Sequence, residues 1–404
     1  MATTTTKIKY NVDYIQKALA QAYQSENLHV EHVESATRKQ NGENFCSDIY
    51  RLTVKYRKTP ESPIEVGKYV IKNLYPDVAV MGTCEKLLLL QILPAMDEIL
   101  GKASPLTEHK LNANCLYCDP TPGTEDYLLE DLNALSYTSM DRQKGLDLYE
   151  AKICLQKLGQ FHAASMVLIQ EQPELVGKLP PSQYSKGIKF DLGRVIIING
   201  TNYAAKAFAN EMPEIAAKMK AQIPDAYAKR MRSVVDPKNS AFNVITHGDL
   251  WVNNILIDKA AEKAVFVDFQ SSFVGSPAID LHFLFYTSLE LDVLLHSQTE
   301  LLQHYHESLT NTLKACHYTG SIPTFQQVTD EIERCLLYGY YAAVCELPIC
   351  CATREASEDF GLHTFEDDEV MLKKRGQLFS NPRFLKTVRA TLPIFHEKGV
   401  LETP

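Results

Sequence analysis

Val244-Ile245-Thr246-His247-Gly248-Asp249-Leu250-Trp251-Val252-Asn253-Asn254-Ile255-Leu256-Ile257 is the stretch on which the reading of this chain turns. An apolar strand enters, a polar loop follows, and a second apolar strand leaves. After a polar turn over Asp258 to Lys263 comes Ala264-Val265-Phe266-Val267-Asp268-Phe269-Gln270. Asp249, Asn254 and Asp268 therefore project from the ends of short apolar strands. Any one of them alone reads as part of a polar hairpin between buried strands. Their combination, with His247 in the same loop, singles the patch out.

The residue types suit phosphoryl transfer. That chemistry needs a nucleophile held in line and phosphate charge neutralised by metal, with little covalent help from the protein. A carboxylate beside the attacking hydroxyl orients it and takes its proton. Magnesium is a hard cation that prefers oxygen ligands such as a carboxylate and a carboxamide. The spacing His-x-Asp-x-x-x-x-Asn followed by Asp-Phe supplies these parts in the order that kinases use. Asp249 is thus expected to be the base or hydroxyl-orienting residue, and Asn254 and Asp268 the magnesium ligands, with Asn253 the alternative to Asn254 if the register slips by one. His247 is expected to be a buried, hydrogen-bonded loop histidine and not a catalyst.

Working outward, the first third of the chain is strand-rich. An amphipathic helix over about 11–25 precedes extended stretches at His29 to Ala36, Ile49 to Tyr56 and Ile64 to Ile71. A helix is expected from about Val78 to Leu100, with Leu87-Leu88-Leu89-Leu90 in a segment broken by Pro94, and further extended pieces around Cys115 to Tyr117 and Tyr127 to Leu132. From Asp147 onward the period becomes helical: Leu148 to Met166, then roughly Ala204 to Lys220, Glu290 to Ala315 and Gln326 to Ala352. The expected boundary lies just after Leu132, giving a nucleotide-binding lobe over 1–132 and a helical catalytic and acceptor-binding lobe over 133–404.

The run Thr246 to Leu256, with Trp251 inside it, resembles the ecdysteroid-kinase-like family, small-molecule kinases related to choline and aminoglycoside kinases. Similar segments cover nearly the whole chain: Gly42-Glu43-Asn44-Phe45-Cys46-Ser47, Tyr69-Val70-Ile71-Lys72, Leu128-Leu129-Glu130-Asp131-Leu132, Leu158-Gly159-Gln160-Phe161-His162-Ala163 and Phe379-Ser380-Asn381-Pro382-Arg383-Phe384. The resemblance implies an α+β, two-lobed, protein-kinase-like fold. It also implies ATP-dependent phosphorylation of a hydroxyl on a steroid or other lipophilic small molecule.

The small lobe offers the remaining parts. Lys72, at the end of the strand Tyr69 to Ile71, is placed to hold the ATP phosphates; Lys68 competes but precedes the apolar run and is expected in solvent. Glu85 shares a helix face with Leu88, Leu89 and Ile92, where a carboxylate is costly unless paired, and Lys72 is the partner on offer. An exposed Glu85 is the alternative, because Leu87 and Leu90 blur the buried face. Gly42 to Ser47 lies between two strands, so its backbone amides and the Ser47 hydroxyl would cover the phosphates, unless Asn41-Gly42 is simply a hairpin tip. Tyr127 to Leu132 runs where a hinge between lobes would run, with backbone groups of Glu130 and Leu132 on the adenine edge.

Three departures from the protein-kinase pattern point to a small acceptor. Gln270 replaces the glycine after Asp268-Phe269, and Trp251 stands two residues after the base, where many protein kinases carry lysine. Asp280 follows Asp268 by only twelve residues, which leaves no room for an activation segment, and no Ala-Pro-Glu signature appears. Asp280 is read as a helix-start aspartate that braces the catalytic loop, a position the helix dipole also favours. The long stretch between Met166 and Phe242, and Tyr338, Tyr340 and Tyr341, would wall a lipophilic acceptor or simply belong to the core.

Composition bounds the rest. The chain has 404 residues, a net charge of −9 and 45% hydrophobic residues, which fits a globular protein and argues against a nucleic-acid partner. Met1 to Lys9 is Thr-rich without an apolar core, and no stretch approaches the length of a membrane span, so neither a signal peptide nor a membrane anchor is expected and a cytoplasmic protein is. Ten scattered cysteines read as reduced thiols. Cys115-Leu116-Tyr117-Cys118 is a single pair that cannot fill a tetrahedral zinc site, and the run Glu366 to Glu369 reads as a solvated helix start. A pseudokinase or ligand-binding scaffold would need a missing base, metal ligand or lysine, and each is present.

Overall fold

The computed structural model describes residues 10–37, 47–75, 84–103, 110–119, 126–185, 192–221, 224–357 and 368–402. Its first lobe is built on an antiparallel sheet of β1 (His29–Thr37), β2 (Ser47–Arg57), β3 (Glu65–Leu74), β4 (Cys115–Cys118) and β5 (Asp126–Glu130), in the order β1-β2-β3-β5-β4. Alternation gives the sheet a buried face. Val54, Ile71 and Leu128 pack with Ile15, Ala18 and Leu19 of helix α1 (Val12–Ala22), which is capped by Asn11 accepting from the Tyr14 amide. The register sets Lys72 of β3 opposite Ile49 of β2 and Tyr127 of β5, so its side chain starts from the middle of the sheet.

The helix after β3 differs from expectation. Pro94 does not break it. A π turn over Leu88–Ile92 runs directly into helix α2 (Leu93–Ala103). The Leu93 amide reaches back five residues to the Leu88 carbonyl. Proline lacks an N–H and its ring crowds the carbonyl four residues back, and a turn widened by one residue accommodates both defects. Leu88, Leu89 and Ile92 are buried on one face with Glu85, while Leu90 is exposed, which resolves the ambiguous face. Likewise β5 stops at Glu130, and a short 3-10 helix starts at Leu132.

The second lobe is mainly helical. Its long helix α3 (Leu148–Glu171) begins with a capping box between Asp147 and Glu150 and packs against α2, so both lobes share one core. Two stretches read as single helices are each divided. Pro213 restarts the helix of Leu192–Ala207 as Pro213–Ala221, and Ser297 separates Leu291–His296 from Gln298–Ala315. The last divides in several places. Phe325–Arg334 is followed by Leu336–Tyr341, a second π turn over Ala342–Glu346 and Leu347–Cys350.

Strands β6 (Thr138–Ser139), β8 (Ile255–Asp258) and β9 (Lys263–Phe266) form a small sheet. β7 (Val244–Ile245) pairs with β10 (Val274–Gly275), which leads into the wholly buried helix α4 (Ala278–Ser288). Among the described residues no helix is long and apolar enough to cross a membrane.

Candidate active site

The loop between β7 and β8 is held from beneath by Asp280, in the first turn of α4. One Asp280 oxygen accepts from the His247 amide at 2.7 Å and from His162 Nε2 at 3.0 Å; the other accepts from the Gly248 amide at 2.8 Å. Asp280 and His162 are fully buried, and His162 is completed by the Tyr305 hydroxyl at 2.8 Å on Nδ1. The helix-start aspartate therefore braces the loop, as its sequence position suggested. His162 is the part the sequence reading passed over. A histidine inside an apolar helix face was the available signal.

Gly248 has φ +80°, and a Cβ there would lie 2.1 Å from the Ser271 carbonyl oxygen, so only glycine fits. His247 is buried between two hydrogen bonds: its Nδ1 accepts from the Asp249 amide at 3.3 Å and its Nε2 donates to the Val267 carbonyl at 2.9 Å. Burial lowers its pKa. It is a neutral structural histidine.

Asn254 Nδ2 donates to the Asp249 carbonyl at 2.8 Å and to Asp249 Oδ2 at 3.0 Å. The loop thus pairs the two side chains that the sequence singled out. Burial raises the Asp249 carboxyl well above its usual range; the charges of Asp268 and Glu346 add to this, while bonds from Asn254 and Trp251 work against it. Asp268 follows β9 at φ +69°, a left-handed conformation that aspartate tolerates better than most residues.

Lys72 joins the lobes. Its Nζ lies 2.7 Å from both Glu85 oxygens and 2.7 Å from Asp268 Oδ1. Lys72 and Glu85 are both buried, whereas the Asp268 side chain remains 26% exposed. Burial works against the ammonium, but the charges of Asp268 and Glu85 outweigh it and hold its pKa above the ordinary lysine value. Burial also raises Glu85, against the pull of Lys72. One ammonium thus serves two carboxyl groups. Lys68 is exposed.

Lys72, Glu85 and Asp268 line a cleft of about 530 Å³ between the lobes. Ile49, Val70 and Leu129 line its sheet side, and Leu256 and Phe266 its helical side. Ser47, Lys72, Asn253, Asn254 and Asp268 line it too, as do Glu130, Asp131 and Leu132. The Glu130 amide is committed to the Asn114 carbonyl, so Glu130 can offer a ligand only its carbonyl; Leu132 begins a helix, where the ladder leaves its amide without an acceptor. The Asp131 carboxylate is held by Arg51 and caps Asn133. Arg354 and Arg142 reach the same cleft from the helical lobe and were not anticipated. Gly42 lies outside the described residues.

The donor set fits a nucleotide and a hard divalent cation. Two apolar faces match a flat base, a buried lysine matches phosphate, and the Asp268 carboxylate and Asn254 carboxamide supply oxygen ligands. Asn254 spends its amino group on Asp249, so the oxygen is the end of its carboxamide turned to other partners.

The profile of the ecdysteroid kinase-like family matches residues 41–318. Similar solved structures include an ethanolamine kinase of Plasmodium vivax, at 14% identity over 91% of this chain and 83% of that one, with a TM-score of 0.45. A type I macrolide 2'-phosphotransferase matches at 15% identity over 91% and 97% of the two chains, TM-score 0.41. An amicoumacin kinase in complex with AMP-PNP and Ca2+ matches at 11% over 93% and 95%, TM-score 0.40. Comparison with curated proteins finds no match. The chain belongs to the ecdysteroid kinase-like family.

Proposed function

We propose that this member of the ecdysteroid kinase-like family is a cytoplasmic kinase that transfers the γ-phosphoryl group of ATP to a hydroxyl of a small lipophilic molecule, an ecdysteroid or a xenobiotic. One observation carries the reading: Lys72, Glu85, Asp268 and Asn254, whose carboxamide holds Asp249, line one interlobe cleft together with apolar side chains from both lobes.

In this reading the base lies between Ile49, Val70 and Leu129 on one side and Leu256 and Phe266 on the other. The Glu130 carbonyl and the Leu132 amide bond its edge. Lys72 binds phosphate oxygens, and Glu85 keeps the ammonium from swinging into solvent. Ser47, with Gly42 in the segment before it, covers the phosphates. Asp268 and Asn254 hold magnesium, which neutralises phosphate charge when bound. Asp249 orients the acceptor hydroxyl and takes its proton. The short run from Asp268 through β10 into α4 leaves no platform for a peptide, which favours a small acceptor.

A panel of hydroxylated steroids and glycosides tests the assignment. Asp249→Asn is expected to abolish phosphoryl transfer while leaving MgATP binding largely intact. Asp268→Ala is expected to remove magnesium-dependent nucleotide binding. Normal turnover by the first variant, or normal MgATP binding by the second, would sink the corresponding role.

A further inference from the structure

Most cations of the nucleotide cleft are already matched to carboxyl groups. Lys72 is held by Glu85 and Asp268, and Arg51 by Asp131. Arg354 differs. It lines the same cleft from the helical lobe, and among the described residues it makes no ion pair.

The register of the small sheet decides which end of the cleft it serves. Thr138 of β6 lies opposite Ile257 of β8, and Ser139 opposite Leu256, in an antiparallel pair. As β6 runs forward, β8 therefore runs back toward Asn254. The chain leaving β6, Met140 to Gln143, follows that end and lines the cleft with Asn253 and Asn254. Arg142 Nη2 then donates to Ser357 Oγ at 3.0 Å. This buried hydroxyl donates in turn to the Thr353 carbonyl at 2.8 Å, with the Arg354 carbonyl 3.2 Å away. The one-turn helix Arg354–Ser357 is thus tied to the end of the cleft that carries Asn254, and not to the hinge. The last helix secures both segments: Arg383 Nη1 donates to the Arg142 carbonyl at 2.7 Å, and Asn381 Nδ2 to the Cys351 carbonyl at 2.8 Å. Ser357 is buried, while Arg354 is exposed.

Phosphate chemistry asks for a further cation at this end. Lys72 divides one positive charge between two carboxyl groups. Magnesium at Asp268 and Asn254 would offset only part of the charge of a triphosphate. A guanidinium stays charged at any working pH and offers paired N–H donors that match two phosphate oxygens. An arginine without a carboxylate partner keeps those donors for a ligand.

We propose that Arg354 binds the terminal phosphate of the nucleotide from the helical lobe, while Lys72 binds from the small lobe, so that a triphosphate ties the two lobes together. Arg142 is a positioning residue that holds the Arg354 turn through Ser357. The inference rests on the kinase reading above.

Titration calorimetry in the presence of magnesium, with AMP-PNP, ADP and adenosine in turn, reads phosphate recognition without turnover. Arg354→Ala should weaken AMP-PNP by about tenfold or more, ADP less, and adenosine not at all. Arg354→Lys keeps the charge but loses the paired donors, and should fall between the variant and wild type. Ser357→Ala should weaken AMP-PNP by about threefold with adenosine unchanged, whereas a merely structural role would weaken all three ligands alike. Unchanged adenosine affinity also reports an intact fold. A loss for AMP-PNP in Arg354→Ala that does not exceed the loss for adenosine overturns the assignment. So does a variant in which only the acceptor KM rises, because the guanidinium would then serve an anionic group on the acceptor. Absence of magnesium-dependent AMP-PNP binding by wild type removes the kinase reading itself, and this inference with it.

Discussion

Neutralising Glu346 should stabilise the protein, and only above a defined pH. Its carboxyl is raised from 4.5 to about 7 in the folded state, chiefly by burial. The folded chain therefore keeps this proton through a window in which the unfolded chain has lost it. Its contribution to stability is fully present below pH 4.5 and is lost as pH rises through 7. At about 1.4 kcal/mol per pH unit, that span amounts to roughly 3 kcal/mol. Glu346→Gln keeps the shape and the bond to Tyr341 but has no charge to bury. Relative to wild type, the variant should gain about 3 kcal/mol between pH 4.5 and pH 8, on the order of 5 °C in Tm for a chain of this length. Removing the Glu346 charge also relieves Asp249, which feels it, and this adds to the gain. Thermal unfolding of both proteins in steps from pH 5 to pH 9 reads the difference directly. A gap that stays constant with pH, or narrows as pH rises, refutes the reasoning.

Two further outcomes test the frame of the loop. Asp280→Asn replaces the acceptor of three buried bonds by a group that cannot take all three, so it should destabilise the protein by about 3 kcal/mol and lower kcat roughly 100-fold, read by chemical unfolding and by ADP release; wild-type values for both would show that the brace is idle. Gly248→Ala should cost at least about 2 kcal/mol, because a Cβ at φ +80° meets the Ser271 carbonyl, and unfolding within about 0.5 kcal/mol of wild type would contradict that geometry.

The sequence carried the parts of the site that chemistry repeats locally. Asp249, Asn254 and Asp268 are legible because apolar strands bracket polar residues within one short stretch. Glu85 is legible because Leu88, Leu89 and Ile92, three, four and seven residues on, mark its helix face as buried. What was not legible depends on distant partners. His162 looks like a core histidine until Asp280, 118 residues away, is placed against it. Glu346 is one acidic residue in an apolar helical run, and nothing local says that the fold buries it. Arg354 reaches the cleft only through the packing of the last helices. Helix breaks are the other gap, in both directions: the backbone absorbs Pro94, where the sequence predicts a break, and the chain turns at Pro213 and Ser297, where the period predicts continuous helix.

The two π turns have the same cause, since each ends two residues before a proline, Pro94 or Pro348, and each is closed by an amide reaching five residues back. Each holds one residue more than regular helix needs. A helical position turns by about 100° per residue, so the surplus residue sets which way the side chains before it point. A chain that lost one residue from Ala342–Glu346 and replaced Pro348 would keep a continuous helix while turning the side chains before it, Tyr338 and Tyr341 among them, to a different face. Insertion and deletion at this point thus turn a whole helix face at once, which point substitution does not, and the length of this segment becomes a trait to compare between related chains.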